Sequence, residues 1–456
     1  MSRAVLDSAV RDLAFSAWWG ESNAVTMKDY SQVLATTGRT QKAQTMANIA
    51  VTTQRGIVQG TCDDRFKGVL QAFVENFQSQ DEVGASVAIT LEGKTVVDLW
   101  GGQKTDGGDP WERDTIGVVF SCTKGASALC AHMAADRGLL DFNAPVTRYW
   151  PAFGQAGKEG ALVSMMLDHS VGLPSVRAPL KEGAFYDYDY MVEVLAKETP
   201  FWKPGTRNGY HGVTSAWTVG EMVHRSTAKR MGLFLRDEVT GPLGVDFWMG
   251  LPEEHETRVA PMIPALVDAA ARNSRMAQAM KADPAGPTAM FLGGMGRFSP
   301  NTRVAHAAEI GSANGISNGR GLAGLYAALA NGGSLNGVRL VGPDTLSRMG
   351  QISVATHEDA TLAIPTRFSL GFMKSMDNRA LENTASCSAI LSEAAFGHVG
   401  AGGSIGFADP ACKMSLGYMM NRMGQGILLN PRGQSLVDAA YLALGYRSNA
   451  SGVWTV

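Results

Sequence analysis

Phe120-Ser121-Cys122-Thr123-Lys124-Gly125 places a serine and a lysine three residues apart at the start of a predicted helix. Apolar residues recur at helical spacing behind this stretch, and Gly138 supplies a stop. Because residues three apart share one face of a helix, the Lys124 amine can reach the Ser121 hydroxyl. A lysine whose pKa is lowered by desolvation or by a neighbouring cation can take the serine proton. The stretch therefore predicts a nucleophile and its base.

An isolated Ser-x-x-Lys pattern is more often an N-cap serine followed by a solvated lysine, so the other motifs decide its meaning. The segment PGTRNGYHG, residues 204–212, carries Tyr210 in a glycine-rich turn ahead of a predicted helix. The segment FGHVGAGGS, residues 396–404, precedes a predicted strand, IGFADP. Residues this small allow a strand edge to lie close to a bound substrate, because no side chains intervene.

The composition is that of an ordered globular chain of 456 residues, 45% of them hydrophobic and 18% charged. A net charge of −2, from 40 basic and 42 acidic residues, gives no reason to expect a nucleic-acid partner. Asp7 and Asp12 interrupt what would be the core of a secretory signal, and no apolar run approaches the ~20 residues that span a bilayer. Five scattered cysteines fit a reducing compartment, so we expect a cytoplasmic protein without a membrane partner.

Strands are predicted near both ends of the chain, with helices between them. A helix over 65–77 precedes GASVAIT and TVVDLWGG, two β-rich runs whose Leu-Glu-Gly-Lys connection predicts a hairpin. Strand patterns return in SIGFADP and MSLGYMMN, and GQSLVDAAYLALGY predicts a closing helix. The strands from both ends are therefore expected to form one sheet, beside a helical lobe.

The predicted domain organisation follows from this pattern. Residues 1–55 form an extension of unknown role, and one domain covers 56–456. Its α/β part comes from about 56–120 and 300–456, and its helical lobe from about 121–300. The segment EDATLAIP, residues 358–365, has the composition of an ordinary surface loop or a short helix.

The three motifs together resemble those of the serine β-lactamase and penicillin-binding protein superfamily. The chain is most similar to the class C-like branch that includes the family VIII carboxylesterases, which MLDHSVGLP (166–174) and SANG (312–315) also resemble. The resemblance covers the chain from about residue 60 to its C-terminus. It implies a β-lactamase-type α/β fold, in which an antiparallel sheet flanked by helices meets a helical lobe. The active site is expected in the cleft between them.

The resemblance also implies roles for individual residues. Ser121 is the nucleophile that becomes acylated, Lys124 is its base, and Tyr210 passes the proton to the leaving group. Lys124 and Tyr210 are expected to titrate as a coupled pair, with a nearby ammonium lowering the pKa of the phenol. The backbone amides of Ser121 and Ala401 form the oxyanion hole, where one lost donor costs on the order of 2.7–4 kcal/mol. Contacts to the substrate are expected from His211, His398, Gly400 and Gly402.

Two departures from the β-lactamase motifs favour uncharged esters over β-lactams. The usual Tyr-x-Asn is Tyr210-His211-Gly212, so the asparagine that recognises an amide is missing. The usual Lys-Thr-Gly is His398-Val399-Gly400, so the cation that would hold a lactam carboxylate is at most a titrating imidazole. His398 as a packed structural histidine is an equal alternative. The implied activity is hydrolysis of carboxylic esters with short acyl chains, without a metal or a cofactor, and homo-oligomerisation is left open.

Other hypotheses remain at this point. A class C-like β-lactamase, a D-amino-acid peptidase or amidase, and a penicillin-binding sensor that is acylated once all use the same three motifs. A different enzyme class is an α/β-hydrolase with Ser317 as nucleophile. The stretches 315–319 and 402–406 match Gly-x-Ser-x-Gly, but that elbow needs a strand entering and a helix leaving the serine. The first lacks a predicted strand and the second, around Ser404, lacks a helix, so glycine-rich turns are the simpler interpretation.

Overall fold

The computed structural model of the protein describes residues 46–266, 272–295, 298–381 and 387–456. Residues 1–45 of the predicted extension lie outside these ranges. Residues 47–53, also assigned to the extension, form the first strand of the main sheet, so the sheet begins before the predicted boundary at residue 55.

The strands, numbered in chain order, are β1 (Ala47–Thr53), β2 (Gly56–Cys62), β3 (Gly84–Leu91), β4 (Lys94–Gly102), β5 (Gly117–Val118), β6 (Phe247–Trp248), β7 (Ile316–Ser317), β8 (Ser334–Leu335), β9 (Val338–Arg339), β10 (Val354–Thr356), β11 (Thr366–Phe368), β12 (Phe396–Val399), β13 (Ile405–Asp409) and β14 (Met414–Met420). The α-helices are α1 (Lys67–Ser79), α2 (Thr123–Asp136), α3 (Val163–Leu167), α4 (Tyr188–Lys197), α5 (Ser215–Thr227), α6 (Met231–Leu235), α7 (Gly241–Leu243), α8 (Arg275–Ala282), α9 (Pro287–Met295), α10 (Arg303–Ala307), α11 (Gly319–Ala330), α12 (Pro343–Gly350) and α13 (Pro431–Ala443).

The main sheet joins the two ends of the chain. Its strand order is β1-β2-β4-β3-β14-β13-β12, and each neighbouring pair is antiparallel. The predicted hairpin is β3–β4, whose turn residues Glu92 and Gly93 have φ angles of 52° and 77°. A two-residue hairpin of this kind needs positive φ at both positions. Pairing of β3 with β14, from Leu91 opposite Met414 to Ala85 opposite Met420, confirms that both chain ends share one sheet.

Each face of the sheet is covered by helices because its central strands are apolar on both sides. Met414, Leu416, Tyr418 and Met420 alternate along β14 toward an apolar core that includes α1 and α13. On the opposite face, Gly417 lies against α11 so closely that a Cβ there would be 2.3 Å from the carbonyl oxygen of Gly319. The two layers of helices on one antiparallel sheet confirm the predicted α/β sandwich.

A small second sheet connects the sandwich to the helical region. β5, β7 and β6 form a three-stranded antiparallel sheet in which β7 is central. β5 ends two residues before Phe120, and the helix α2 begins at Thr123. A core of mainly helical residues surrounds α2, which is buried along almost its whole length. This arrangement fixes the segment from 118 to 124 from both sides.

Candidate active site

Ser121 lies in a tight turn between β5 and α2. Phe120 has a φ angle of 45°, which a bulky residue rarely adopts, and it is buried edge-to-face against Phe298. The amide of Thr123 donates to the carbonyl oxygen of Phe120 at 2.9 Å, so the turn runs directly into the helix. The half-buried Ser121 hydroxyl is thereby held at the N-terminus of α2, where the helix dipole favours negative charge on oxygen. Strained backbone is typical of residues placed for reaction.

Lys124 has the surroundings of a neutral amine. Its Nζ lies 3.2 Å from Ser121 Oγ, 2.6 Å from the carbonyl oxygen of Gly212 and 2.9 Å from that of Ser312. The side chain is 5% exposed, and burial lowers its pKa well below the usual value. A neutral amine has two N–H bonds and one lone pair. The two carbonyls can accept the N–H bonds, which leaves the lone pair for the proton of Ser121.

Tyr210 is buried beside both residues. The Ser121 side chain interacts with its phenol, and Lys124 Nζ lies 4.8 Å from the centre of its ring. The sequence predicted that a nearby ammonium lowers the pKa of this phenol, and that prediction is wrong. Burial of the phenol raises the pKa of Tyr210 instead. The site therefore brings an amine of lowered pKa and a phenol of raised pKa to the same serine.

The glycine-rich turn 400–404 closes the site on a third side. A Cβ at Gly400 would lie 2.3 Å from the carbonyl oxygen of Val119, so only glycine allows the turn to approach the strand before Ser121. The amides of Gly400 and Gly403 donate within the turn. Among the described residues, the amides of Ser121 and Ala401 have no hydrogen-bond acceptor. Both donors of the predicted oxyanion hole are therefore available to a substrate oxygen. Gly402 has a φ angle of 87° and its carbonyl accepts from Asn430, which fixes the outer end of the turn.

The two predicted histidines have different surroundings. His398 is 2% exposed, and its Nε2 has no partner among the described residues. Its ring centre lies 6.1 Å from that of Tyr210, and burial lowers its pKa to about 3, so the imidazole is neutral at pH 7. His211 is fully buried, and both of its ring nitrogens are engaged, by the amide of Leu173 at 2.7 Å and the carbonyl of Gly209 at 2.7 Å. His211 thus holds the Tyr210 turn in place and presents no free nitrogen to a substrate.

Asp359 supports the same turn and was missed by the sequence analysis. Its carboxylate accepts from the amide of Tyr210 at 2.9 and 3.1 Å, and from the amides of Thr361 at 2.8 Å and Leu362 at 2.9 Å. Asp359 is 1% exposed, so the description of residues 358–365 as an ordinary surface loop is wrong at this position. The reason is distance along the chain, because 149 residues separate the carboxylate from the amide that it holds. An aspartate whose carboxylate accepts hydrogen bonds from the amides two and three residues later is a common turn signal. This local pattern does not indicate a contact with the amide of Tyr210.

The serines of the two Gly-x-Ser-x-Gly stretches, Ser317 and Ser404, have structural roles. Ser317 lies in β7 ahead of α11, so the local order of the nucleophile elbow is present. It is fully buried, however, and its hydroxyl donates to the carbonyl oxygen of Asp246 at 2.7 Å. Ser404 is 1% exposed and donates to the carbonyl oxygen of Val119 at 3.2 Å, which ties the glycine-rich turn to the strand before Ser121. With an antiparallel main sheet and a buried Ser317, the α/β-hydrolase hypothesis is wrong.

The described residues hold neither a metal-binding cluster nor a membrane-spanning helix. They contain no group of three or more His, Cys, Asp or Glu side chains that could hold a metal ion. In the same parts of the chain, no helix is both long and apolar enough to cross a membrane.

Comparisons with known proteins identify the family of this chain. A family model described as Beta-lactamase matches residues 66–437. The esterase/β-lactamase LipL of Mycobacterium tuberculosis is 33% identical over 373 residues, which cover 80% of this chain and 83% of that protein. A solved family VIII carboxylesterase is 36% identical, with a TM-score of 0.74, and the match covers 85% of this chain and 99% of that one. A penicillin-binding protein homologue from Caulobacter crescentus is 31% identical, with the same TM-score and the same coverage of both chains.

Proposed function

The chain belongs to the β-lactamase family of hydrolases and has its fold, and from that premise we propose that it hydrolyses carboxylic esters through an acyl-enzyme on Ser121. The observation that carries the proposal is the pair of carbonyls, of Gly212 and Ser312, that take the N–H bonds of a buried Lys124. They turn the lone pair of the amine toward Ser121. A lysine that is kept neutral can act as a base at neutral pH.

Acylation follows from this geometry. Lys124 takes the Ser121 proton, and Oγ forms a bond to the ester carbonyl carbon. The carbonyl oxygen becomes an oxyanion that the amides of Ser121 and Ala401 stabilise, because both donors are fixed before the reaction starts. The bond to the alkoxide then breaks, and Tyr210 donates its proton to the departing oxygen. The proton on Lys124 restores the phenol.

Deacylation uses the same groups in reverse. A water takes the place of the alcohol and gives a proton to the Tyr210 and Lys124 pair as its oxygen attacks the acyl carbon. The bond to Oγ breaks, and Ser121 recovers its proton as the carboxylic acid leaves. Microscopic reversibility requires the residue that protonates the leaving alcohol to assist the incoming water.

Substrate charge separates this proposal from β-lactam hydrolysis. No cation replaces the Lys of the usual Lys-Thr-Gly, since His398 is neutral at pH 7. Gly212 replaces the asparagine of the usual Tyr-x-Asn, so no side-chain amide is present there for a β-lactam side chain. Both features favour an uncharged ester, with a short acyl chain as the first substrate to test. The family VIII carboxylesterase similarity points the same way.

The test is mass spectrometry of the intact protein after brief exposure to p-nitrophenyl acetate, with Ser121→Ala as control. An added acetyl group on wild type, absent from Ser121→Ala, is expected together with continuous release of p-nitrophenol. One equivalent of p-nitrophenol followed by arrest would instead identify a sensor that is acylated once, the role to which the penicillin-binding homologue's name points. Equal kcat/KM for the ester and for benzylpenicillin would contradict the choice of substrate class.

A further inference from the structure

His169 lies against the Tyr210 turn, within the stretch 166–174 to which the catalytic steps above give no part. The amide of Gly209 donates to the backbone carbonyl oxygen of His169 at 3.1 Å, and the amide of His211 donates to its ring nitrogen Nδ1 at 3.3 Å. These two amides come immediately before and immediately after Tyr210 in the chain. A single residue therefore binds the backbone on both sides of the phenol that passes the proton.

The imidazole of His169 also contacts the side chain of Tyr210. The two rings lie edge-to-face with their centres 5.0 Å apart, and the imidazole stacks on that of His211 at 5.6 Å. The ring of Phe368 packs against both His169 and Tyr210, at 4.9 and 6.1 Å. His169 is 3% exposed, so its ring is held by these neighbours and forms one wall of the space that the phenol occupies.

The backbone of His169 is strained where it makes these contacts. Its φ angle is 67°, in the left-handed region that few residues other than glycine adopt. Such a conformation persists where the surrounding structure fixes it, and it is typical of residues that are placed for a function. Here the carbonyl and the side chain of His169 each hold one amide of the Tyr210 turn, so the strain lies at the residue that joins the two segments.

The hydrogen bond to His211 requires a neutral imidazole at position 169. Nδ1 accepts an N–H and must carry a lone pair, so the proton of the neutral ring lies on Nε2. Protonation of Nδ1 would place two N–H groups face to face. Burial lowers the pKa of His169 well below its usual value, and positive charge on Lys124, His211 or His398 would act in the same direction. Nδ1 therefore remains an acceptor at pH 7.

We propose that His169 is a positioning residue for Tyr210: by holding the amide of His211 on Nδ1, it keeps the phenol within reach of the departing alkoxide. The proposal rests on the ester hydrolysis proposed above. Asp359 holds the amide of Tyr210 itself, at 2.9 Å, so the two side chains fix consecutive amides of one turn. Such support matters because a displacement of about 1 Å can cost on the order of 10²-fold in rate.

Two acetate esters separate positioning of the phenol from a loss of folded enzyme. kcat/KM reports acylation up to release of the alcohol. Ethoxide needs a proton in order to leave, whereas p-nitrophenolate leaves without one. A displaced phenol should therefore slow acylation by ethyl acetate and spare p-nitrophenyl acetate, while a smaller folded fraction would lower both values by the same factor.

The variants are His169→Leu and His169→Asn, which have side chains of nearly equal size. Asparagine tolerates the left-handed φ angle and offers Oδ1 as an acceptor in place of Nδ1, and leucine has no acceptor. His169→Leu should lower kcat/KM for ethyl acetate roughly 10–100-fold and leave p-nitrophenyl acetate within about threefold. His169→Asn should recover most of the loss. A parallel fall for both esters in His169→Leu, or an asparagine no better than the leucine, would overturn the assignment.

His132→Leu is the matched control, because it removes another fully buried imidazole that packs against Phe142 and Phe372, away from Tyr210. It should leave the ratio of the two kcat/KM values unchanged. If His169→Leu does not fold, His169→Gly replaces it, since glycine adopts the left-handed φ angle without strain and also lacks an acceptor.

Hydrogen exchange separates this proposal from ester hydrolysis, because it needs no substrate. It is measured by mass spectrometry on the fragment that contains the amide of His211. Faster exchange in His169→Leu than in wild type and His169→Asn supports the role of Nδ1, and equal exchange in the three proteins refutes it. A wild type that hydrolyses neither ester would refute the proposed function, whatever the exchange result.

Discussion

Tyr210→Phe removes one oxygen from the site and keeps the shape that surrounds it. The ring stacks with Phe368 at 6.1 Å and lies edge-to-face against His169 and Phe291, at 5.0 and 6.2 Å. These contacts remain in the variant. The lost hydroxyl interacts with the side chain of Ser121, whose own hydroxyl is half-buried and can turn to solvent. The free energy of unfolding should therefore fall by only about 1 kcal/mol.

The effect on catalysis should be far larger. General acid–base assistance is worth roughly 10²–10⁴-fold, so kcat for a short-chain ester should fall by that factor. Lys124→Ala should be similarly damaging, and the double variant hardly worse than either single variant, because groups that act as a unit are not additive. Burial raises the pKa of Tyr210, so any loss of activity between pH 8 and 10 should be present in the variant as well.

The assay is steady-state hydrolysis of p-nitrophenyl acetate, with thermal unfolding of the same samples. Tyr188→Phe is the matched control, since Tyr188 also buries its phenol but bonds it to Glu221, outside the site. It should retain wild-type kcat. If Tyr210→Phe stayed within a few-fold of wild type while folded, the phenol would have no part in proton transfer and Lys124 would act alone.

Three further predictions concern neighbouring residues. Burial lowers the pKa of Lys124 below its unfolded value, so at a pH between those two values the unfolded chain binds one more proton than the folded chain. As pH rises through this window, the free energy of unfolding of wild type should increase relative to that of Lys124→Met by up to about 1.4 kcal/mol per pH unit. Parallel plots of the free energy of unfolding against pH for the two proteins would contradict the lowered pKa. Asp359→Ala should lower kcat roughly 10–100-fold, and Asp359→Asn less, because the alanine leaves the Tyr210 amide without its acceptor and lets the turn shift. In a Tyr210→Phe background, Asp359→Ala should add little to the loss of kcat. An undiminished effect of Asp359→Ala in that background would indicate a role other than positioning the phenol. Ser317→Ala should keep wild-type kcat/KM, since its hydroxyl donates only to backbone carbonyls. Ser404→Ala should keep kcat/KM within about tenfold, since its hydroxyl donates to a backbone carbonyl and accepts from the Cys122 thiol. A folded but inactive Ser317→Ala would reopen the question of the nucleophile.

How far the sequence predicted the fold depended on the range of the interactions involved. The β3–β4 hairpin was visible because Leu-Glu-Gly-Lys carries the turn chemistry that the two positive φ angles require. The closing helix α13 and the strands β13 and β14 were visible from their own periodicity. The pairing of these strands depends on tertiary packing. The sequence predicted only that strands from both chain ends share one sheet, and the register of β14 against β3 could be read only from the structure.

The site divides in the same way. Ser121 and Lys124 lie one helical turn apart, so their contact could be predicted from spacing alone. What makes the lysine a base comes from elsewhere, because its N–H acceptors are the carbonyls of Gly212 and Ser312, 88 and 188 residues away. Backbone carbonyls have no residue type to recognise in a sequence. The contact of Asp359 is equally hidden in the sequence, because its carboxylate binds the backbone amide of Tyr210 and not the tyrosine side chain.

The exchange at position 212 shows how a missing motif residue can be informative once the structure is known. From the sequence, Gly212 marked only the absence of an amide that would recognise a β-lactam. In the structure, the carbonyl oxygen of Gly212 accepts a hydrogen bond from Lys124, and the ring of Phe291 packs where a side chain at 212 would lie. Any side chain introduced at 212 must displace an aromatic ring that also contacts Tyr210, so it would disturb the base and the phenol together. Restoring the asparagine alone should therefore reduce ester hydrolysis without creating β-lactam hydrolysis, since Phe291 occupies the space that the amide needs.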